Sequence, residues 1–343
     1  MIGLAVIGYG YWGPNIVRNF SEISDVRVRI VADIDKQRLY LAQTRYPVVE
    51  VTTDVDSVFS RSDVNAIALA TPVSSHFGLA LRALEAGKHV FVEKPLTRTA
   101  EEAQRLIEEA DRRKLVLHVD HTFLYTGAVR KIKELVDHNA LGQLYYYDSV
   151  RVNLGLFQPD VDVVWDLAVH DLSIIDFLRV GTVTAVSASG VNHVQGRPIN
   201  VAFLTIFFEN DFIAHLHVNW LAPVKLRRTL LGGSTKMLVY DDLEPSEKIK
   251  VYDKGITVIS EKEGDYLQRI DYRTGDMWAP KVEITEALQL EAQHFMQCIV
   301  DGETSLSDGR SGLRVVEMLE AASWSMNEQG RPVKIGWKGS KRK

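Results

Sequence analysis

The chain has 343 residues, too many for one ordinary core and suited to two domains. Its 46% hydrophobic and 25% charged residues give the balance of a folded, water-soluble chain and argue against disorder outside the ends. A net charge of -5 without a long Lys/Arg stripe argues against nucleic-acid binding, and no apolar run approaches the ~18 residues of a membrane span. The single cysteine, Cys298, rules out an intramolecular disulfide and reads as a buried thiol. The first strand starts at Ile2 with no secretory pattern before it, so a cytoplasmic location is the expectation.

The first ~120 residues alternate strand and helix signals. Apolar runs at Ile2–Ile7, Val26–Ala32, Asn65–Ala70, His89–Val92 and Leu115–Val119 read as strands, with a weaker run at Val48–Val51. Helical patterns fall between them, at Ser75–Ala86 and Thr99–Arg113. In the latter, Glu108 with Arg112 and Glu109 with Arg113 are expected i,i+4 pairs. Continuous apolar strands alternating with helices imply a doubly wound parallel sheet, a Rossmann domain over residues 1–121.

After residue 122 the pattern changes to an α+β domain with a largely antiparallel open sheet, expected to run to 330 before a C-terminal segment, 331–343. Helices are predicted at Ala128–His138 and Trp165–Val180, and two closing helices at about Ile284–Val300 and Gly312–Gln329. Val201–Phe208 and Phe212–Trp220 read as a hairpin around Asn210-Asp211, followed by strands at Leu226–Leu231, Lys236–Tyr240 and Ile249–Tyr252. A two-residue turn would put Phe203, Thr205, Phe207, Ala214, Leu216 and Val218 on one face. Leu204, Ile206, Phe208, Ile213, His215 and His217 would fill the other. Both faces are then largely apolar, so a second subunit is expected to cover one, giving a homodimer or homotetramer. His215 and His217 have the spacing of strand metal ligands, but no third ligand clusters nearby, and no metal is expected.

Gly8-Tyr9-Gly10-Tyr11-Trp12-Gly13 is a G-x-G-x-x-G directly after a strand and before a helix. Gly8 allows the tight turn, Gly10 close approach of a pyrophosphate, and Gly13 helix packing. Pro14 suits a first helical turn. Asp33 ends the second strand 20 residues after Gly13, where a carboxylate accepts from ribose hydroxyls and repels a 2′-phosphate. NAD is therefore favoured over NADP, although Lys36 and Arg38 soften the preference. Thr71 and Pro72 follow the next strong strand at the ligand-binding edge of the sheet. His76, one turn on, reads equally as a cofactor contact or as a packing residue.

Glu93-Lys94-Pro95 places a lysine at the same edge, where an ammonium can donate to a substrate hydroxyl and stabilise a developing alkoxide. These motifs, with Ala86-Gly87-Lys88-His89-Val90 and Asp166-x-x-x-His170, resemble the Gfo/Idh/MocA oxidoreductases along essentially the whole chain. The resemblance implies that Lys94, Asp166 and His170 face the nicotinamide, with Glu93 and Lys94 near the cofactor. A spacing of four puts Asp166 and His170 on one helical face. His170 is then the expected general base, Asp166 its assistant and Lys94 the group positioning the oxygen. The alternative is a polar helix face with Asp166 as an N-cap. One departure from the usual pattern is Asp162-Val163-Val164-Trp165 in place of a glycine-rich run. It leaves Trp165 either walling the site or simply packing.

Family members mostly act on sugars, inositols and nucleotide sugars, so a sugar-like secondary alcohol is expected; the stretch from Lys225 to Gly255 resembles family members from surface-polysaccharide clusters, and that resemblance favours C3 of a nucleotide sugar. His121, Tyr125, Asn153, Trp165 and His170 are the expected substrate contacts. Arg151 shares a strand face with Asn153, while Lys225, Arg227 and Arg228 could meet a diphosphate, and Tyr266, Tyr272 and Arg273 sit in a loop-like stretch. Two other readings stay open at this stage: a glycosidase using bound NAD, and a non-catalytic sugar or dinucleotide sensor.

Overall fold

The computed structural model describes residues 1–155, 157, 160–259 and 269–336. Two compact units emerge, 1–126 with 285–320 and 127–284 with 321–343. They interleave along the sequence, whereas consecutive stretches broken at 121/122 and 330/331 were expected.

In the first unit, β1 (Ile2–Ile7), β2 (Val26–Ala32), β3 (Glu50–Thr52), β4 (Ala66–Leu69), β5 (His89–Glu93) and β6 (Leu117–Asp120) form an all-parallel sheet. The order is β3-β2-β1-β4-β5-β6, so the winding reverses between β1 and β4. Ligands bind at such a switch point, beyond the carboxyl ends of the strands. Strand residues such as Ala66, Ile67, Ala68 and Leu69 are wholly buried, which is why the strands read as continuous apolar runs. Thr99 caps helix Ala100–Arg113: its hydroxyl accepts from Glu102 N–H at 3.1 Å while Glu102 accepts from Arg98 N–H at 3.2 Å. On that helix Glu109 binds both Arg113 and Arg112, the latter at 2.6 Å, and Glu108 accepts from Gln104 at 2.9 Å. The expected Glu108–Arg112 pair is thus replaced by an i,i+3 pair.

Helix Ala287–Asp301 explains the interleaving. Its Phe295 is wholly buried and packs edge-on against Phe91 and Phe20, with ring centroids 5.6 and 6.2 Å apart. The late helix completes the early core.

In the second unit, strands β7 (Leu144–Leu154), β8 (Val183–Val191), β9 (Val201–Phe208), β10 (Ile213–Asn219), β11 (Leu221–Gly233), β12 (Met237–Asp241) and β13 (Ile249–Tyr252) are the main members of the sheet. β14 (Gly255–Ile259) and β15 (Arg269–Arg273) pair separately, and β16 (Met277–Trp278) and β17 (Val333–Lys334) close the two edges. The nine-stranded order is β16-β13-β12-β11-β7-β10-β9-β8-β17, antiparallel except for β7 beside β10.

The hairpin register corrects the expected faces. Phe207 lies opposite Ile213, not Ala214, because the connection is longer than two residues. Ala202, Leu204, Ile206 and Phe208 therefore share the buried face with Ala214, Leu216 and Val218. A one-residue shift moves a whole strand to the other face, so pooling the apolar residues selects this register. The outer face holds Phe203, Thr205, Phe207, Ile213, His215 and His217. There His217 stacks on Phe203 with centroids 4.4 Å apart.

Candidate functional site

The carboxyl edge of the parallel sheet gathers most of the expected cofactor residues. Gly8 has φ +98°, and a Cβ there would lie 2.4 Å from the Ala70 carbonyl oxygen. A Cβ on Gly13 would lie 2.3 Å from the Gly8 carbonyl oxygen. Asp33 is buried and ties this turn to β2: Oδ2 accepts from Tyr9 N–H at 2.6 Å and Oδ1 from Asp35 N–H at 2.8 Å. Arg38 approaches Asp33 at 3.7 Å. Tyr11 is largely exposed, while Trp12 is half-buried and donates from Nε1 to Asp120 at 2.9 Å.

Thr71 and Pro72 follow β4, with Thr71 Oγ1 accepting from Ser75 at 2.7 Å. His76 departs from the expected cofactor contact. It is buried, and its ring nitrogens lie 2.8 Å from the Thr71 carbonyl and 2.9 Å from the Pro95 carbonyl. It ties together the turns after β4 and β5, which carry Thr71 and Lys94. Glu93 and Lys94 are half-buried at the end of β5, and the Lys94–Pro95 peptide is cis.

His121 follows β6, is buried, and has no hydrogen-bond partner for either ring nitrogen among the described residues. Burial, reinforced by the nearby Lys94 ammonium, holds its pKa down to about 3. His121 is therefore a neutral imidazole. Tyr125 corrects another expectation. Its side chain is buried in the same unit and its hydroxyl lies 2.9 Å from His294 Nδ1, an interior contact.

Sequence reasoning missed the neighbours of this edge. Asp120 ends β6 and Glu291 lies on helix Ala287–Asp301, both buried. Two signals pointed to them. Asp120 ends β6 opposite Glu93, the residue before Lys94, and Glu291 sits in the apolar stripe Leu288, Ala292 and Phe295.

In the second unit the helix carrying Asp166 and His170 begins earlier than expected. Asp162 is its cap, accepting from Val164 N–H at 2.9 Å and Trp165 N–H at 3.1 Å. Asp166 is therefore not the N-cap. Val164–Ala168 forms a π-turn before the α-helix Val169–Leu178. Such turns re-aim side chains, so the simple i,i+4 face argument gives way to a wider local turn. Asp166 Oδ2 accepts from Trp220 Nε1 at 3.1 Å, and Trp165 Nε1 donates to Ser323 at 2.9 Å. His170 and Asn153 are half-buried.

Arg151, placed by the sequence on the same strand face as Asn153, is interior: Nε donates to Asp171 Oδ2 at 2.7 Å. Tyr147 and Ser149 hydroxyls donate to the other Asp171 oxygen at 3.0 and 2.8 Å. Arg227 pairs with Asp242 at 3.1 Å and Arg273 with Asp253, while Lys225 and Arg228 remain exposed. Tyr266 lies outside the described residues.

Comparison with known proteins follows the same division. The family described as an oxidoreductase family with an NAD-binding Rossmann fold matches residues 2–121, and the GFO/IDH/MocA C-terminal domain matches residues 129–239. The chain belongs to the Gfo/Idh/MocA oxidoreductase family. Among its relatives, UDP-N-acetylglucosamine 3-dehydrogenase of Acidithiobacillus ferrooxidans is 26% identical over 91% of this chain and 93% of its own. The structure of that enzyme superposes with a TM-score of 0.80, covering 95% of this chain and 98% of the other. An NAD-dependent scyllo-inositol 2-dehydrogenase of Bacillus subtilis is 23% identical over 98% and 95% of the two chains. GenD2 from gentamicin A biosynthesis, solved with NAD, has a TM-score of 0.82 at 22% identity, over 98% and 97%. The Gfo/Idh/MocA chain is thus an oxidoreductase with an NAD-binding Rossmann domain, and none of its described helices is long and apolar enough to cross a membrane.

Proposed function

We propose that this chain transfers hydride between NAD and a secondary alcohol of a sugar or nucleotide sugar, C3 being the favoured position. The observation that carries the reading is the half-buried Lys94 beside a neutral His121, which has no hydrogen-bond partner among the described residues, at the ligand-binding edge of the Rossmann sheet. The likeness to a UDP-N-acetylglucosamine 3-dehydrogenase over nine-tenths of both chains supports the substrate class.

The glycine turn fits a dinucleotide. A Cβ on Gly10 would meet only the tip of Arg38, at 3.4 Å, so the turn leaves a cradle open to a phosphate. Tyr9, Tyr11, Trp12, Thr71 and Glu93 border this edge, and Asp33 favours NAD over NADP through its negative charge. Gly10→Ala is expected to keep the melting temperature but weaken NAD binding about tenfold or more, whereas Gly13→Ala lowers the melting temperature. Calorimetric titration and thermal unfolding check the pair; equal loss of stability in both would refute the cradle.

When bound, the nicotinamide supplies the hydride acceptor. His170 takes the hydroxyl proton, Asp166 assists it, and Lys94 donates a hydrogen bond to the oxygen. His121 offers an imidazole nitrogen, and Asn153 and Trp165 complete the substrate contacts. An NAD-reduction screen over free sugars, inositols and UDP-sugars tests the reading. Net NADH formation with one class is expected; product formed without net NADH, or no turnover with any class, would sink it.

The outer face of the second sheet seats a second copy of the chain in this reading. Phe203 and Ile213 are 45% and 42% exposed there, an aromatic and aliphatic patch without a cover among the described residues. Light scattering at micromolar concentration should give a dimer or tetramer, reduced toward monomer by Phe203→Glu; a wild-type monomer overturns this.

A further inference from the structure

Two carboxyl groups, Asp120 and Glu291, lie buried in one hydrogen-bonded network of the Rossmann unit. Ser305 Oγ accepts from Ser307 N–H at 3.1 Å and lies 2.7 Å from His118 Nδ1. In the tautomer in which Ser305 donates to Nδ1, the imidazole proton sits on Nε2 and is donated to Glu291 Oε1 at 3.1 Å. The other oxygen, Glu291 Oε2, meets no N–H or O–H in good hydrogen-bond geometry among the described residues, although the Thr122 hydroxyl, which donates to Asp120, also interacts with Glu291. Glu291 nevertheless hydrogen-bonds Asp120. Two carboxylates offer no proton to each other, so this contact requires one carboxyl to be protonated. Asp120 already accepts from Trp12 Nε1 at Oδ2 and from Thr122 at Oδ1, as an ionised carboxylate does.

We propose that Glu291 Oε2 carries a proton and donates it to an ionised Asp120, and that this one-charge pair is a positioning device joining Trp12 of the glycine turn to Lys94. The donor chain runs Ser307, Ser305, His118, Glu291, Asp120, every proton pointing the same way. It ends on a single negative charge within electrostatic reach of the Lys94 ammonium.

The energetics agree with the donor directions. Both side chains are wholly buried, and two charges in such a site repel at high cost. Burial first, then the Asp120 charge, pushes the Glu291 carboxyl well above its usual range. Burial also raises Asp120, but Thr122, Trp12, Glu291 and Lys94 all pull it back. His118 is held neutral by burial, with His294 and His121 adding to the effect. Glu93 is the other carboxyl that faces the pair. The Lys94 part of the proposal rests on the catalytic reading above; the shared proton does not.

Infrared difference spectroscopy of the full chain at neutral pH tests the proton directly. The carbonyl stretch of a protonated carboxylic acid is expected in the wild type and absent in E291Q. No such band, or a band unchanged in E291Q, overturns the shared proton. For positioning, E291A and D120N should lower kcat about tenfold or more, with a smaller change in substrate KM. E291Q, which keeps a neutral donor toward Asp120, should recover most of what E291A loses. Equal losses in E291Q and E291A, or full kcat in D120N, overturn the positioning role. If E291A does not fold, E291Q against D120N still decides, because only D120N removes the charge. A band at Glu291 together with full turnover in Lys94→Ala would refute the catalytic reading and leave the shared proton standing.

Discussion

Lys94→Ala is expected to lower kcat by about 10²–10³-fold while NAD still binds. The reason is differential stabilisation: the ammonium is worth little to a neutral hydroxyl and much to the alkoxide character that develops as hydride leaves. A drop of that size corresponds to about 2.7–4 kcal/mol of barrier. His170→Ala should cost a comparable factor, about 10²–10⁴-fold, by removing the base. In the proposed mechanism both act on the same oxygen, so the two losses should not add. His121 sharpens the test. With its pKa held near 3 it stays neutral at working pH, so a rate change around neutrality does not report His121. Steady-state kinetics with calorimetric NAD titration checks the prediction; unchanged kcat/KM in Lys94→Ala would remove the lysine from the mechanism.

Asp171→Ala is expected to cost about 3–5 kcal/mol of stability. Asp171 is wholly buried and holds Arg151, Tyr147 and Ser149 at once. Removing it leaves the Arg151 guanidinium buried without its counter-charge and two hydroxyls without their acceptor. Breaking one partner of such a pair costs far more than the pair's net worth, because the remaining charge is stranded. Urea unfolding should show a lower midpoint at unchanged slope. A loss below about 1 kcal/mol would show that the guanidinium finds another partner or water.

The strands and ligand edge of the Rossmann unit were legible because their signals are local. Each strand is a short apolar run, and Gly8, Asp33, Lys94 and His121 all stand at or just after strand ends. The glycine turn was legible for the same reason: two of its three glycines meet backbone that a Cβ would strike. What stayed hidden depended on distant partners. Arg151 looked like a surface cation until Asp171, 20 residues on, was seen to neutralise it. Tyr125 looked available until His294 was found beside its hydroxyl. The hairpin register turned on a loop length that Asn210-Asp211 suggested but did not determine. The π-turn at Val164–Ala168 has no periodic signature, so the angle between Asp166 and His170 could not be read from a spacing of four.

Helix Ala287–Asp301 carries one further consequence. Phe295 fills the space beside Phe20 and Phe91, yet it leaves the ribosome more than 200 residues after Phe91. Until then the nascent dinucleotide half presents an aromatic surface to water, with the partner of His118 still unmade. Vectorial synthesis therefore cannot close the first domain first. The chain must hold an open, sticky intermediate through most of translation, which makes this stretch the natural client of a holding chaperone. It also means that a shortened product ending near residue 280 would be an aggregation hazard and not an independent NAD-binding module.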